Sequence, residues 1–166
     1  MSSNLEKALG FNLEAFNYLY VLCDYETLLK KNITLENFLE ILKKYDVKLL
    51  QYRDKVSDLE LQKQNLIFLK QNLNIPIIIN DKVELIDYAD GLHVGQDDVL
   101  KIHKDKKLAI KLLRKRVKNK LLGLSTHNEL EILEANSFEL DMIGLGAYKA
   151  TNTKDISNIL GEKLQK

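Results

Sequence analysis

The amino-acid sequence predicts a parallel α/β fold, and two observations carry that expectation. Short apolar runs alternate along the chain with longer segments of helical periodicity, and most of those runs are apolar at every position. Uniform apolarity marks a strand buried on both faces, as in a parallel sheet covered by helices, whereas a half-exposed strand would alternate. The strand candidates are Tyr18–Cys23, Val47–Tyr52, Ile75–Ile79, Gly91–Val94, Leu121–Leu124 and Met142–Leu145.

Each gap between them reads as helix. Thr34 can cap a helix over Leu35–Tyr45, whose Leu35, Phe38, Leu39 and Leu42 share one face. Ser57 and Glu60 have capping-box spacing at the start of a helix ending near Leu73, where Asn74, Ile75 and Pro76 break it. A short helix is expected over Val83–Tyr88, a longer one from about Val99 to Val117, and another over Glu129–Asn136. The last covers Asp155–Leu160, with Gly161 as its C′ residue. The result is a run of six βα repeats. Right-handed crossovers of this kind build either a barrel or an open doubly wound sheet, and the pattern alone leaves both open. No G-x-G-x-x-G or P-loop sequence follows the first strand, so no dinucleotide site is expected.

Composition narrows the function classes. A chain of 166 residues fits a single domain over 1–166, and 45% hydrophobic with 30% charged residues is ordinary for a globular protein. A formal net charge of +1 demands neither nucleic acid nor membrane as a partner. The basic run from Lys101 to Lys120 has no interleaved aromatics. Ile102, Leu108, Leu112, Leu113 and Val117 suggest the inner side of a helix there, with the lysines on a solvated face. The lone Cys23 sits in an apolar run and reads as a small buried hydrophobe in a reducing compartment. The N-terminus does not read as a signal peptide, and no apolar run approaches the ~20 residues that span a bilayer. A cytoplasmic protein is expected.

The polar residues collect at the C-terminal ends of the strand candidates. They are Gln51-Tyr52-Arg53-Asp54-Lys55, Asn80-Asp81, His93 to Asp98, Ser125-Thr126-His127, and Gly144 through Lys154. In a (β/α) barrel these ends converge on one face, which holds the active site. Asp81 and Asp98 are hard oxygen ligands suited to Mg²⁺. Arg53, Lys55 and Lys154 are cations able to surround phosphate oxygens, and Ser125, Thr151 and Thr153 can donate to the same oxygens. Taken singly, each has a plainer reading. Arg53, Asp54 and Lys55 read as a surface charge cluster, Asp81 as a helix N-cap, Asp97 and Asp98 as acids favoured by a helix N-terminus, His127 as a helix-start residue, and His93 as a satisfied core histidine.

Taken in order, five blocks resemble the thiamine phosphate synthase and thiazole tautomerase family. They are Gln51 to Lys55, Ile75 to Asp81, Asp90 to Asp98, Gly123 to His127, and Gly146 followed by Thr151-Asn152-Thr153-Lys154, with Tyr20 to Asp24 similar to the family's first strand. The resemblance implies a TIM (β/α)8-type barrel with about six βα units present and the last two missing, so that the domain is incomplete at its C-terminus. It implies a Mg²⁺-dependent transferase that couples hydroxymethylpyrimidine diphosphate to hydroxyethylthiazole phosphate, giving thiamine phosphate and pyrophosphate. Carried over by position, Asp81 and Asp98 hold the metal. Gln51, Arg53, Lys55 and Asn80 contact the diphosphate or pyrimidine, and Ser125 lies beside the pyrimidine and leaving group. Lys154 binds pyrophosphate, while Thr151 and Thr153 lie toward the thiazole phosphate. Ser125 and Lys154 are the expected catalytic residues. Ala147 and Ala150 stand where the family usually has proline.

A barrel lacking two units leaves its first and last strands as open edges, through which homo-oligomers could form. Three explanations of the short chain stay open: a truncated synthase, completion by a second chain, or a relative that binds diphosphate without coupling. The tautomerase, with His127 as its candidate base, is the alternative activity, and a non-catalytic diphosphate-binding relative is the other.

Overall fold

A computed structural model describes residues 4–10 and 18–147. The strands are β1 (Leu19–Asp24), β2 (Val47–Arg53), β3 (Ile77–Asn80), β4 (Gly91–Val94), β5 (Leu121–Thr126) and β6 (Met142–Leu145). They follow sequence order across one sheet, β1-β2-β3-β4-β5-β6. Parallel registers join β1 to β2, β2 to β3 and β5 to β6. The helices are α1 (Asn4–Leu9), α2 (Tyr25–Lys30), α3 (Leu35–Lys43), α4 (Leu59–Asn72), α5 (Gln96–Ile102), α6 (Lys106–Val117) and α7 (Glu129–Ala135), with a 3₁₀ turn over Val83–Tyr88. The expected helix over Asp155–Leu160 lies outside the described residues. No helix among them is long and apolar enough to cross a membrane.

The chain falls into two compact units, Met1–Leu92 with Asn119–Leu121, and His93–Lys118 with Leu122–Lys166. In the first, β2 and β3 form the core. Leu49, Leu50, Tyr52 and Ile77 to Ile79 are at most 1% exposed, as uniform apolarity requires of a strand covered on both faces. Leu66 and Leu69 of α4 are equally buried. Of the expected stripe on α3, Leu35, Leu39 and Leu42 are buried and Phe38 is half-buried, with Thr34 Oγ1 accepting from Asn37 N at 3.2 Å. The start of α4 is shifted by one residue from the expected capping box. Asp58, not Ser57, is the N-cap, and its carboxylate accepts from Leu61 N at 2.8 Å. An ionised oxygen is the stronger acceptor of the two. β3 begins at Ile77 because Pro76 has no N–H to give the ladder, although its carbonyl accepts from Leu50 N at 3.1 Å. Cys23 is fully buried. Burial, then the negative charges of Asp24 and Asp54, push its thiol up to about 12, so it stays a thiol.

In the second unit the expected long helix from Val99 to Val117 is two helices. Asp105 caps α6, accepting from Leu108 N at 3.1 Å, while Asp105 N donates to His103 Nδ1 at 2.9 Å. These side-chain bonds satisfy backbone groups that helix continuation would otherwise pair. The restart resets the helical phase. Ala109, Ile110, Leu113 and Val117 are buried, whereas Ile102, Leu108 and Leu112, expected on the inner side, are exposed.

One device recurs at strand starts in both units. Asp90 accepts from Ile77 N at 2.7 Å and pairs with Lys70. Asp141 accepts from Leu122 N at 2.8 Å and pairs with Arg114 at 2.6 Å. In each case an acid just before one strand accepts from an amide at the start of its neighbour, the first residue of β3 and the second of β5. The edge strands are less covered: Leu19, Tyr20 and Leu22 of β1 and Ile143 and Leu145 of β6 are exposed.

Gly91 stands where a side chain has no room. A Cβ there would lie 2.6 Å from Ile78 Cδ1 and 2.7 Å from both Cβ and carbonyl oxygen of Leu121. Two of these neighbours belong to the backbone or its first side-chain atom and cannot swing aside. Gly91→Ala is expected to destabilise the protein by about 1–3 kcal/mol, read as a lower urea midpoint at unchanged slope.

Candidate functional site

In the first unit the polar groups sit at the C-terminal ends of β1, β2 and β3. The register pairs Asp24 with Arg53, so strand alignment places acid beside base. Asp24 has two tasks. Its Oδ1 accepts from Thr27 N at 2.9 Å to cap α2, and its Oδ2 accepts from Arg53 Nη1. Burial tends to raise its carboxyl pKa, but the bonds from Thr27 and Arg53 outweigh that and hold it below the ordinary carboxylate value. A guanidinium carries five N–H groups, so Arg53 can engage Asp24 and still donate to an anion. Gln51, 8% exposed within β2, donates from Nε2 to the hydroxyl of Tyr20 on β1. Burial raises the Tyr20 phenol above its usual value, against the hydrogen bond from Gln51, so it stays protonated.

Asp54 is not part of a surface charge cluster. It is 2% exposed and fully engaged. Its Oδ1 accepts from Val56 N at 3.0 Å and Ser57 N at 2.9 Å, and its Oδ2 accepts from Tyr52 Oη at 2.9 Å. Asn65 Nδ2 donates to the same phenol oxygen at 2.8 Å. This network fixes the turn that presents the exposed Lys55. Asn80 closes β3, and Asp81 follows it in the left-handed region at φ 62°. Asp81 caps no α-helix; a 3₁₀ turn begins two residues on, with Lys82 at its N-cap.

In the second unit, β4 leads through Gly95 into α5, with Asp98 in its first turn. Asp98 Oδ1 accepts from the exposed Lys101 at 2.7 Å. Ser125, the fifth residue of β5, is engaged twice. Its Oγ lies 3.0 Å from His93 Nε2, and its carbonyl accepts from Gln96 Nε2 at 2.8 Å. His127 is tied to Glu131, whose Oε2 accepts from its backbone N at 2.8 Å and lies 3.0 Å from Nδ1. Asn128 caps α7 beside it, accepting from Glu131 N at 2.9 Å.

The structure therefore groups Gln51 and Arg53 with Tyr20 and Asp24, and Ser125 with His93 and Gln96. Lys55, Asn80 and Asp81 stand at strand ends of the first unit, and Asp98 at the start of α5. Thr151, Thr153 and Lys154 lie outside the described residues. Sequence reasoning assigned no role to Tyr20, Asp24 or Gln96. Asp24 had a detectable signal, as an acid ending β1 level with the base ending β2.

Comparison with known proteins decides the family. The thiamine monophosphate synthase family model matches residues 19–165. The chain belongs to the thiamine monophosphate synthase family. A thiamine-phosphate synthase of Staphylococcus epidermidis is 33% identical over 144 residues, covering 82% of this chain and 63% of that protein. One from Chloroflexus aurantiacus is 36% identical over 111 residues, covering 63% of this chain and 47% of that protein. The chain thus spans about 63% or less of the length of these curated relatives. A solved thiamine phosphate pyrophosphorylase from Pyrococcus furiosus superposes with a TM-score of 0.66 at 22% identity, covering 92% of this chain and 69% of that one, and so shares the fold.

Because the folded Asp24 carboxyl binds its proton less readily than the unfolded one, it contributes stability that is complete above the ordinary carboxylate pKa. That contribution is lost as the pH falls through the lowered folded value. Near neutrality Asp24→Ala is expected to cost roughly 1–2 kcal/mol, mainly through the lost cap, and the gap to wild type should shrink in acid. Urea unfolding across that range checks both.

Proposed function

We propose that this chain acts in the thiamine-phosphate synthase reaction, joining a pyrimidine methyl diphosphate to a thiazole phosphate with release of pyrophosphate. The observation that carries the reading is the family match across residues 19–165, within which a charged and hydrogen-bonding set occupies the ends of β2, β3 and β5. The sequential strand order supports taking these strands as consecutive members of a TIM (β/α)8 barrel.

In this reaction the bond between the pyrimidine methylene and the diphosphate oxygen breaks first, and the leaving group takes the electron pair. The thiazole nitrogen then gives its lone pair to the resulting carbocation. Charge builds on the diphosphate, so electrostatic stabilisation supplies the catalysis and no covalent nucleophile is required. Arg53, steadied by Asp24, and Lys55, on the turn built around Asp54, are the cations for that charge. Gln51 and Asn80 supply amide groups for the diphosphate or pyrimidine. Ser125 offers a hydroxyl beside the leaving group. Lys154, Thr151 and Thr153 complete the assignment, with Lys154 toward pyrophosphate.

Mg²⁺ would neutralise diphosphate charge when bound. The donor chemistry fits it, since magnesium takes one or two carboxylates together with substrate phosphate oxygens, and Asp81 and Asp98 are the two carboxylates assigned. Among the described residues no group of three or more His, Cys, Asp or Glu is gathered for a metal, as the common zinc sites are.

The test is pyrophosphate release from the two substrates. Release should need Mg²⁺, stop with chelator and return when the ion is restored. Asp81→Ala and Asp98→Ala should each lower kcat by roughly 100-fold or more. Release that ignores chelator and both substitutions would refute the metal assignment, and no release with both substrates and the ion present would refute the activity.

A further inference from the structure

His93 is buried, 6% exposed, on a strand whose other residues are apolar. Its ring occupies space that two glycines leave open, one on the adjacent β5 and one on β6 beyond it. A Cβ at Gly123 of β5 would fall 2.5 Å from His93 Nδ1, and one at Gly144 of β6 would fall 3.3 Å from Cε1. The ring is thereby confined, with Nε2 brought 3.0 Å from Ser125 Oγ. Three residues later, Gln96 donates to the carbonyl of the same serine at 2.8 Å. One segment, His93 to Gln96, thus grips both the side chain and the backbone of Ser125.

A serine hydroxyl turns freely about its Cβ–Oγ bond and can aim its proton or its lone pairs in several directions. A partner fixed on one side limits that choice. A core histidine needing only a partner could take it from a backbone carbonyl. Two glycines that shape a slot for the imidazole point to a more specific task.

We propose that His93 is the positioning residue for Ser125, holding the hydroxyl in the orientation it presents to the bound pyrimidine diphosphate, with Gln96 fixing the backbone beneath it. This rests on the synthase reading above. His93 itself stays one hydrogen bond away from the reacting atoms and acts through Ser125.

The experiment is a double-mutant cycle on the full chain, read by pyrophosphate release and supported by imidazole ¹⁵N spectra. His93→Leu removes the bond while keeping bulk, and should lower kcat by roughly 5- to 10-fold, the worth of one neutral hydrogen bond, with KM little changed. In the Ser125→Ala background the same change should add nothing further. His93→Gln, whose amide can reach toward the Nε2 position, should recover most of the loss. Losses that multiply in the double mutant, or a His93→Gln protein as poor as His93→Leu, would show a packing role only and overturn the proposal. If the wild-type chain releases no pyrophosphate, the synthase reading fails separately, and the spectra then decide the pairing. A His93 Nε2 resonance that moves in Ser125→Ala upholds the contact, and one that does not move overturns it.

Discussion

The constraint on which the rest depends is the burial of parallel strands on both faces. A ladder covered above and below offers charge no place along its length, since an unpaired polar group there costs several kcal/mol. Ile77, Ile78 and Ile79 show this at its purest, and polarity begins at the next two positions, Asn80 and Asp81. The same rule sends Arg53 to the last position of β2. Two of the buried polar side chains within strands, Gln51 and His93, are each hydrogen-bonded to a hydroxyl on a neighbouring strand. A buried polar group must find such a partner. In both cases the pairing ties the strand interior to a residue of the site.

Rigidity at the strand ends comes from carboxylates bonded to backbone amides. Asp24 caps a helix with one oxygen and holds Arg53 with the other, so the guanidinium is anchored to a helix start and not to a mobile chain. Asp54 does the equivalent for the turn after β2, where two amides and a phenol leave its carboxylate little freedom. Such supports matter in a reaction carried by electrostatics, because donors aimed beforehand spend no energy on reorienting as charge develops. The backbone of the exposed Lys55 gains its position from a buried neighbour.

Much of this was legible in the sequence. The six apolar runs named the six strands, and two of them, Gly91–Val94 and Met142–Leu145, have the expected bounds. The failures came where local hydrogen bonding competes with periodicity. Asp105 and His103 form a turn inside a segment whose apolar spacing alone suggests one helix. Asp58 displaces Ser57 as a cap because the two stand side by side and both are capable. Asp54 sits between two cations, so composition gives it the look of surface charge, while its partner Tyr52, itself held by Asn65, is set by a fold that spacing does not reveal. The grip on Ser125 depends on what strand neighbours leave empty. Two glycines announce room, and no linear pattern states which ring will occupy it.

Asp81 shows how a backbone can argue for a side chain. Three non-glycine residues of the described chain lie at positive φ: Asn32, Asp81 and Lys118. Asn32 and Lys118 follow the ends of α2 and α6, so both belong to helix terminations. Asp81 follows a strand, so that account does not reach it. Glycine would adopt φ 62° at no steric cost, and aspartate tolerates it less well, though better than most residues. The turn after β3 would therefore be served at lower conformational strain by glycine. What glycine lacks is a carboxylate, presented at the strand end one residue beyond Asn80. The backbone at this point bears a conformational cost, as residues at functional sites often do, and a carboxylate there is what the proposed Mg²⁺ assignment requires.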